Sequence, residues 1–267
     1  MKLKDVRPYW LVWRRLTPLQ FETQIANARG AAVLFIFGKL FRLFTAFLFV
    51  YVVVDRAHAL AGYNLSEAIF ILALFNLLST ITQLFFRGVY VFRRKVVDGA
   101  FDFYLLNPLS ELFYSLFSYT DPMDLLLVLP YSGIVIWAWN NAGYQITPVN
   151  LLILLIIISI MGLFVFAFHV VIISIGVKYL EVDNTIMLYR DLEKMASLPI
   201  EVYGKYLSAF LTYIIPFGLM ATVPARIIFG FQTPLILLYF LPLAALFVYL
   251  SLKFWHRALM SYSSASS

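Results

Sequence analysis

Two Gly-Lys pairs are the first residues that could do chemistry, because a Gly-Lys step ends the loop that cradles nucleotide phosphates. That loop also needs a glycine five positions earlier and a serine or threonine directly after the lysine. Neither Gly38-Lys39 nor Gly204-Lys205 has that glycine or that hydroxyl residue. The sequence therefore predicts that the chain hydrolyses no nucleotide of its own.

The histidines predict neither a metal site nor a nucleophilic triad. His58, His169 and His256 lie on different segments, without the spacing that zinc ligands need. The chain has no Gly-x-Ser-x-Gly element and no cysteine. For His169, inside an apolar run, a neutral side chain bonded to a neighbouring helix is favoured over a proton relay. We expect no catalytic residue, no metal and no cofactor bound by this chain.

Composition places the chain in the membrane. Its 267 residues are 63% hydrophobic, 18% aromatic and only 13% charged, with a mean hydropathy of +0.88. A soluble domain of this size could not bury so much apolar surface. We predict an all-α, polytopic membrane protein. Its residues 1–267 form a single transmembrane domain in the lipid bilayer.

Six apolar segments are predicted to cross about 30 Å of hydrocarbon. Asp121-Pro122, Thr147-Pro148 and Thr233-Pro234 are helix-start signals before three of them, since an oxygen cap followed by proline suits a first helical turn. The predicted spans are residues 30–54, 66–86, 122–139, 148–177, 203–220 and 234–252.

The cations orient these spans. Sixteen of the 20 Lys and Arg residues lie before the first span, at 87–110, at 178–205 or in the tail, against Arg56 and Arg226 on the other side. Positive charge marks the cytoplasmic face of a membrane protein. The sequence therefore predicts a multi-pass protein of the plasma (inner) membrane with both termini in the cytoplasm. The net charge of +6 needs no nucleic-acid partner to explain it.

The most basic cluster lies in residues 87–110, here called the elbow. At helical spacing, Phe85, Val89, Phe92 and Val96 share one narrow arc, which predicts an interfacial helix. Asp98-Gly99 is a turn pair, and Asn107-Pro108 stops a second short helix. A basic loop that merely follows the positive-inside rule explains the periodicity equally well.

Two further segments complete the plan. Residues 183–197 are predicted to form a second cytoplasmic amphipathic helix, since Leu188, Leu192 and Met195 make one stripe. Residues 213–233 contain Pro216 and Pro224, which free backbone groups inside an apolar stretch. We expect this stretch to re-enter the membrane as short helices at its outer side, the alternative being a kink followed by an ordinary loop.

Polar residues inside the spans are candidates for a pathway or gate. Lys39 and Arg42 share a face of the first span, and they either snorkel to the interface or face a cavity. The second span is the most polar, and its side chains either bond neighbouring helices or line a substrate wall. The candidates are Lys39, Arg42, Asn76, Gln83, Pro216 and Pro224.

Four motifs resemble those of a known family. The segment 98–108, DGAFDFYLLNP, is similar to the G-x-F/L-D-x-Y/L-L-L-x-P signature of permease subunits in type 2 ABC exporters, in one six-span subgroup. The segment 198–203 resembles that subgroup's P-x-E-x-Y, and 210–230 its T-x-x-x-P followed by P-A and G. The end, 255–266, resembles its W-x-x-x-L-x-x-Y-S-S-A-S.

The resemblance implies the membrane half of an exporter, paired with a second permease subunit and driven by two cytoplasmic ABC ATPase subunits that bind the ATP. It makes the elbow a coupling helix that contacts the ATPase, with these residues implied: Arg93, Arg94, Lys95, Asp98, Gly99, Phe101, Asp102, Leu105 and Pro108. An ion-coupled secondary transporter is the alternative. It would need an acid in mid-membrane, whereas Glu67 and Asp124 are placed at span ends.

Overall fold

The computed structural model describes residues 7–27 and 29–263, which are helical apart from turns and short connections. Capping chemistry explains several helix starts: Asn64 and Glu67 form a reciprocal capping box, and Asp121 and Thr147 each cap a helix that begins with proline. The helices are α1 Arg7–Asn27, α2 Arg29–Ala57, α3 Leu65–Phe86, α4 Val89–Val97, α5 Ala100–Leu106, α6 Glu111–Phe117, α7 Pro122–Asn141, α8 Pro148–Tyr179, α9 Val182–Lys194, α10 Gly204–Ala209, α11 Thr222–Ile228 and α12 Leu237–Met260.

Within the described residues, five stretches of helix are long and apolar enough to cross a membrane. They are Ile36–Ala57, Leu65–Val97, Met123–Asn141, Pro148–Tyr179 and Pro234–Met260. This bears out the all-helical, polytopic prediction, while the sixth span stays a prediction.

The bundle has two ends, which α3 connects. One end, the elbow end, holds α4, α5 and α6 beside the last turn of α3. The other, the far end, holds the loop before α3 and the loop between α7 and α8, where Tyr144 donates a hydrogen bond to Glu67. With 22 residues, α3 separates the two ends by about 33 Å.

The segment 182–203 runs from one end to the other. Val182 packs beside Phe92 of the elbow next to Gly176, whereas Glu201 accepts a hydrogen bond from Tyr63 at the far end. Between these points the chain forms α9 and two 3-10 turns, Met195–Ser197 and Ile200–Tyr203, broken by Leu198-Pro199. A helix forms here as predicted, but the predicted apolar stripe is wrong at Leu188, which is 61% exposed. The buried apolar residues are Val182, Ile186 and Tyr189, and the helix packs on α4 and α8. Its place on the cytoplasmic side stays a prediction.

The predicted fifth span, 203–220, is not one helix. It consists of α10, a π-helical turn Phe210–Ile214 and a 3-10 turn Phe217–Met220, because Pro216 cannot donate a backbone hydrogen bond. The chain descends from the far end, where Glu201 lies, to Phe217, which stacks on Phe168 of α8 at 5.5 Å. It then returns through α11 to the far end, so 204–229 forms a helical hairpin that begins and ends there. Re-entry at the outer side of the membrane stays a prediction.

Candidate functional site

The elbow is anchored to the bundle by aromatic side chains. Phe92 of α4 and Phe101 of α5 are almost completely buried and meet edge to face at 5.3 Å. Phe101 also packs against Trp255 and Tyr262 at the end of α12. Each buried ring contributes about 2 kcal/mol. The elbow is therefore fixed to the last helix as a rigid body.

Backbone conformation gives the elbow its shape. Gly99 has φ +72°, the left-handed region that favours glycine, and it turns the chain between α4 and α5. At the start of α4, Gly88 leaves no space for a side chain, because a Cβ there would lie 2.7 Å from the carbonyl oxygen of Leu116. The predicted turn at 98–99 is confirmed. Of the predicted apolar arc, Val89, Phe92 and Val96 are buried, while Phe85 is more exposed and stacks on Trp13.

The opposite face of the elbow is open. The side chain of Arg94 is 84% exposed and pairs only loosely with Asp98, and Phe103 and Leu106 are exposed beside it on α5. Charged and apolar groups therefore share one accessible surface. The nine predicted coupling residues divide accordingly: Phe101 is buried, Lys95, Gly99 and Asp102 are half-buried, and Arg93, Arg94, Asp98, Leu105 and Pro108 are exposed.

Tyr262, two residues after α12, ties the end of the chain's last helix to the inner side of the elbow. Burial and the Asp102 carboxylate raise the pKa of Tyr262 to about 12, so the phenol stays protonated and donates its hydrogen bond to Asp102. Nearby, the Trp255 indole donates a hydrogen bond to Glu111 of α6. Asp102 could be identified from the sequence, whereas the only signal for Glu111 is an acid at the start of a short helix.

A second feature is a polar cavity of about 240 Å³ between α2, α3 and α9. Four of the six predicted pathway residues, Lys39, Arg42, Asn76 and Gln83, line it together. The sequence could not show that 183–197 completes the wall. Its other lining residues include Ser79, Thr80, Arg190, Glu193, Lys194 and Ser197.

Charged groups around the cavity differ in their partners. Lys39 forms an ion pair with Asp124, which is completely buried in the first turn of α7. Arg42 lies near the Tyr131 hydroxyl, and Arg190 lies 5.6 Å from the ring centre of Tyr90. None of the ion pairs formed by the described residues includes Arg42 or Arg190.

Glu193 is the residue that sequence analysis missed. It is 4% exposed and faces Ser79 near the middle of α3, where Gln83 in turn donates a hydrogen bond to the Ser79 hydroxyl oxygen. Its Oε1 has no hydrogen-bond partner among the described residues. An acid is therefore buried in α9, beside the polar part of α3. Because that helix was placed on the surface, its acid was not considered.

The two predicted prolines lie elsewhere, in the hairpin. Pro216 is at its turn, and Pro224 is buried within α11. At the hairpin's outer limit, Arg226 donates a 3.2 Å hydrogen bond to Glu201, which also accepts one from Tyr63. Burial and the Glu201 charge raise the pKa of Tyr63, so its hydroxyl remains a donor. His169, also away from the cavity, bonds the Val165 carbonyl of its own helix instead of a neighbouring one.

A family model described as ABC-2 family transporter protein matches residues 40–266, most of the chain. The chain belongs to the ABC-2 family. No curated protein and no solved structure matches it. Membership confirms the family that the four motifs indicated, and it makes this ABC-2 protein a multi-pass permease subunit of an ABC transporter.

Proposed function

We propose that this ABC-2 permease is the membrane subunit of an exporter in the plasma (inner) membrane. Two permease subunits form the substrate pathway where they meet, and two separate ABC ATPase subunits drive it from the cytoplasm. The elbow end faces the cytoplasm, together with both termini. The segment 182–203, between α8 and the hairpin, supplies the one crossing beyond the five long apolar helices. It is the fifth crossing in chain order.

The observation that carries the pathway is an exposed ion pair on α9. Lys194 and Asp191 are 2.9 Å apart, with side chains 59% and 70% exposed, next to Glu193. Glu193 lies against Ser79, which is seven residues from the elbow end of α3 and therefore about 10 Å from that end. Hydrocarbon is a costly environment for charges at that depth. Water or a second permease subunit covers this face instead.

The cations are consistent with this orientation after the correction to α9. In this topology Lys205 lies at the far end with Arg56 and Arg226, while Arg190 and Lys194 belong to the crossing segment 182–203. The remaining cations still concentrate at the elbow end, which keeps the predicted direction of the bias.

The elbow supports ATPase coupling. Its inner face is locked to α12, and its outer face presents Arg94 beside Phe103 and Leu106. Apolar side chains give a protein contact its buried centre, and a charge at the rim gives it orientation. A push on this surface moves a rigid element, so the motion reaches the helices instead of dissipating in a loop.

The test is co-expression with the ABC ATPase encoded nearest to the chain's gene. Arg94→Glu combined with Leu106→Ser changes the exposed elbow face without touching a bundle contact, and we expect loss of ATPase co-purification and of permease-dependent ATP turnover. Arg56→Glu, at the far end, is the matched control and retains both. Unchanged turnover in the elbow variant would contradict the proposal. Transport that runs without ATP on an ion gradient would instead support the secondary-transporter alternative, with Glu193 as its coupling acid.

A further inference from the structure

We propose that the cavity between α2, α3 and α9 binds the anionic headgroup of an amphiphile, and that anionic amphiphiles are the substrate class of this permease. The substrate class rests on the proposed function, whereas the binding site does not.

The lining of the cavity is mostly basic. Lys39, Arg42, Arg190 and Lys194 line the cavity, against Glu193 as the one carboxylate among the described lining residues. Two of these cations have acidic partners within ion-pair distance, whereas among the described residues Arg42 and Arg190 form no such pair and lie near the phenols of Tyr131 and Tyr90. The single carboxylate of Glu193 acts electrostatically on both arginines. Two guanidinium groups facing one space favour a phosphate or carboxylate, which each can contact through paired hydrogen bonds.

The cavity wall also carries acceptor oxygens that can bind a hydroxyl donor. Glu193 Oε1 is buried, lines the cavity and accepts no hydrogen bond from the described residues. A buried acceptor of this kind calls for a donor. Asn76 donates its amide to the Leu72 carbonyl, which leaves the amide oxygen as another acceptor on the cavity wall. The matching headgroup therefore carries a hydroxyl beside its anionic group.

An apolar surface of α2 adjoins the cavity at Arg42. On the same helix, Phe41 and Phe44 are 58% and 62% exposed, and Leu48 continues this apolar surface. An anion in the cavity that carries an acyl chain can lay the chain along these residues of α2. A free anion gains nothing from them. The combination of a basic cavity and an adjoining apolar helix face points to an amphiphile.

The experiment is native mass spectrometry of the full chain in a neutral maltoside detergent. The probes are dioleoylphosphatidylglycerol, which is anionic and carries hydroxyls, dioleoylphosphatidylcholine, which has no net charge and no donor, and inorganic phosphate. We expect the chain to retain phosphatidylglycerol in preference to phosphatidylcholine. Arg42→Gln and Arg190→Gln each weaken retention about tenfold, as expected for the loss of one charge-assisted contact.

Two controls separate binding from folding. Arg56→Gln removes a cation from the same helix outside the cavity and leaves retention unchanged. Arg42→Lys keeps the charge and retains most of the binding, so a loss confined to the Gln variants cannot come from the backbone. Equal retention of the two lipids, or equal retention by wild type and both Gln variants, would overturn the site.

The free anion is tested separately. Inorganic phosphate that displaces phosphatidylglycerol at equal concentration would overturn the amphiphile assignment. The binding is measured without any ATPase, so its result is independent of coupling. Lipid retention with no ATPase partner would refute the proposed function alone, whereas ATP-coupled turnover with no arginine-dependent retention would refute this inference alone.

Discussion

The Tyr262 hydroxyl donates a 2.8 Å hydrogen bond to the Asp102 carboxylate, which ties the end of α12 to α5 of the elbow. The Phe101 ring meets the Tyr262 ring at 90° and 5.1 Å, so the contact is both polar and apolar. This contact links the last helix to the elbow.

The first prediction concerns this bond. Tyr262→Phe keeps the ring and removes the donor, and we expect a loss of about 1 kcal/mol in unfolding free energy. The folded pKa of about 12 lies above the ordinary value near 10, so the bond's contribution is complete below pH 10 and is lost only as pH rises through 12. Unfolding in detergent at pH 6 and pH 9 should show the same loss. Tyr206→Phe, at a residue 90% exposed, should show none.

A second prediction tests how α9 packs on α8. A Cβ at Gly176 would collide with a methyl group of Val182, so Gly176→Ala should destabilise the chain by about 1–3 kcal/mol. Val182→Ala removes that methyl group, and the double variant should regain part of the loss. Gly162→Ala on the same helix has nothing within 4 Å and serves as control. Additive losses in the double variant, measured by thermal unfolding, would contradict this packing.

A third prediction concerns the hairpin at the far end. The Glu201–Arg226 pair is partly exposed and contributes up to about 1 kcal/mol, so Glu201→Gln should speed amide hydrogen exchange in α11 up to about fivefold. Asp98→Asn, which breaks an exposed pair on the elbow, should leave α11 unchanged. If Glu201→Gln leaves exchange in residues 222–228 unaltered, the pair does not hold the hairpin.

The elbow could be predicted from sequence because its determinants are local. Val89, Phe92 and Val96 repeat at helical spacing, and Gly99 supplies a conformation that few other residues adopt. The resemblance added Asp102 and Phe101, and both prove to be contacts to α12. Only the partner residues at 255 and 262 needed the structure.

The position of α9 could not be predicted, because the cavity that its polar residues line is completed by helices distant in sequence. Arg190, Glu193 and Lys194 suggest a solvated surface when read alone, whereas Ser79, Gln83 and Arg42 lie opposite them in the bundle. The proposed topology moves the fifth crossing from 203–220 to 182–203, because Pro216 prevents a continuous helix in the apolar segment 203–220. Composition alone does not distinguish a span from a hairpin.

A fourth prediction tests the proposed crossing at 182–203. In this cysteine-free chain, Ala142→Cys and Lys205→Cys should both react with a membrane-impermeant maleimide on intact cells. Arg257→Cys, at the elbow end, should react only after the membrane is opened. The sequence alone placed residue 205 in the cytoplasm, so Lys205→Cys decides between the two topologies. Labelling of Lys205→Cys only in permeabilised cells would contradict a membrane crossing at 182–203.

The central claim is that an ABC ATPase docks on the exposed face of the elbow, and cross-linking tests it most directly. A benzophenone maleimide attached to Arg94→Cys in the full chain, co-expressed with the neighbouring ABC ATPase, should give on illumination an adduct containing both chains. The same reagent on Arg56→Cys should give none. An adduct of equal yield from both positions, or no ATPase adduct from Arg94→Cys in a complex that co-purifies, would contradict the account.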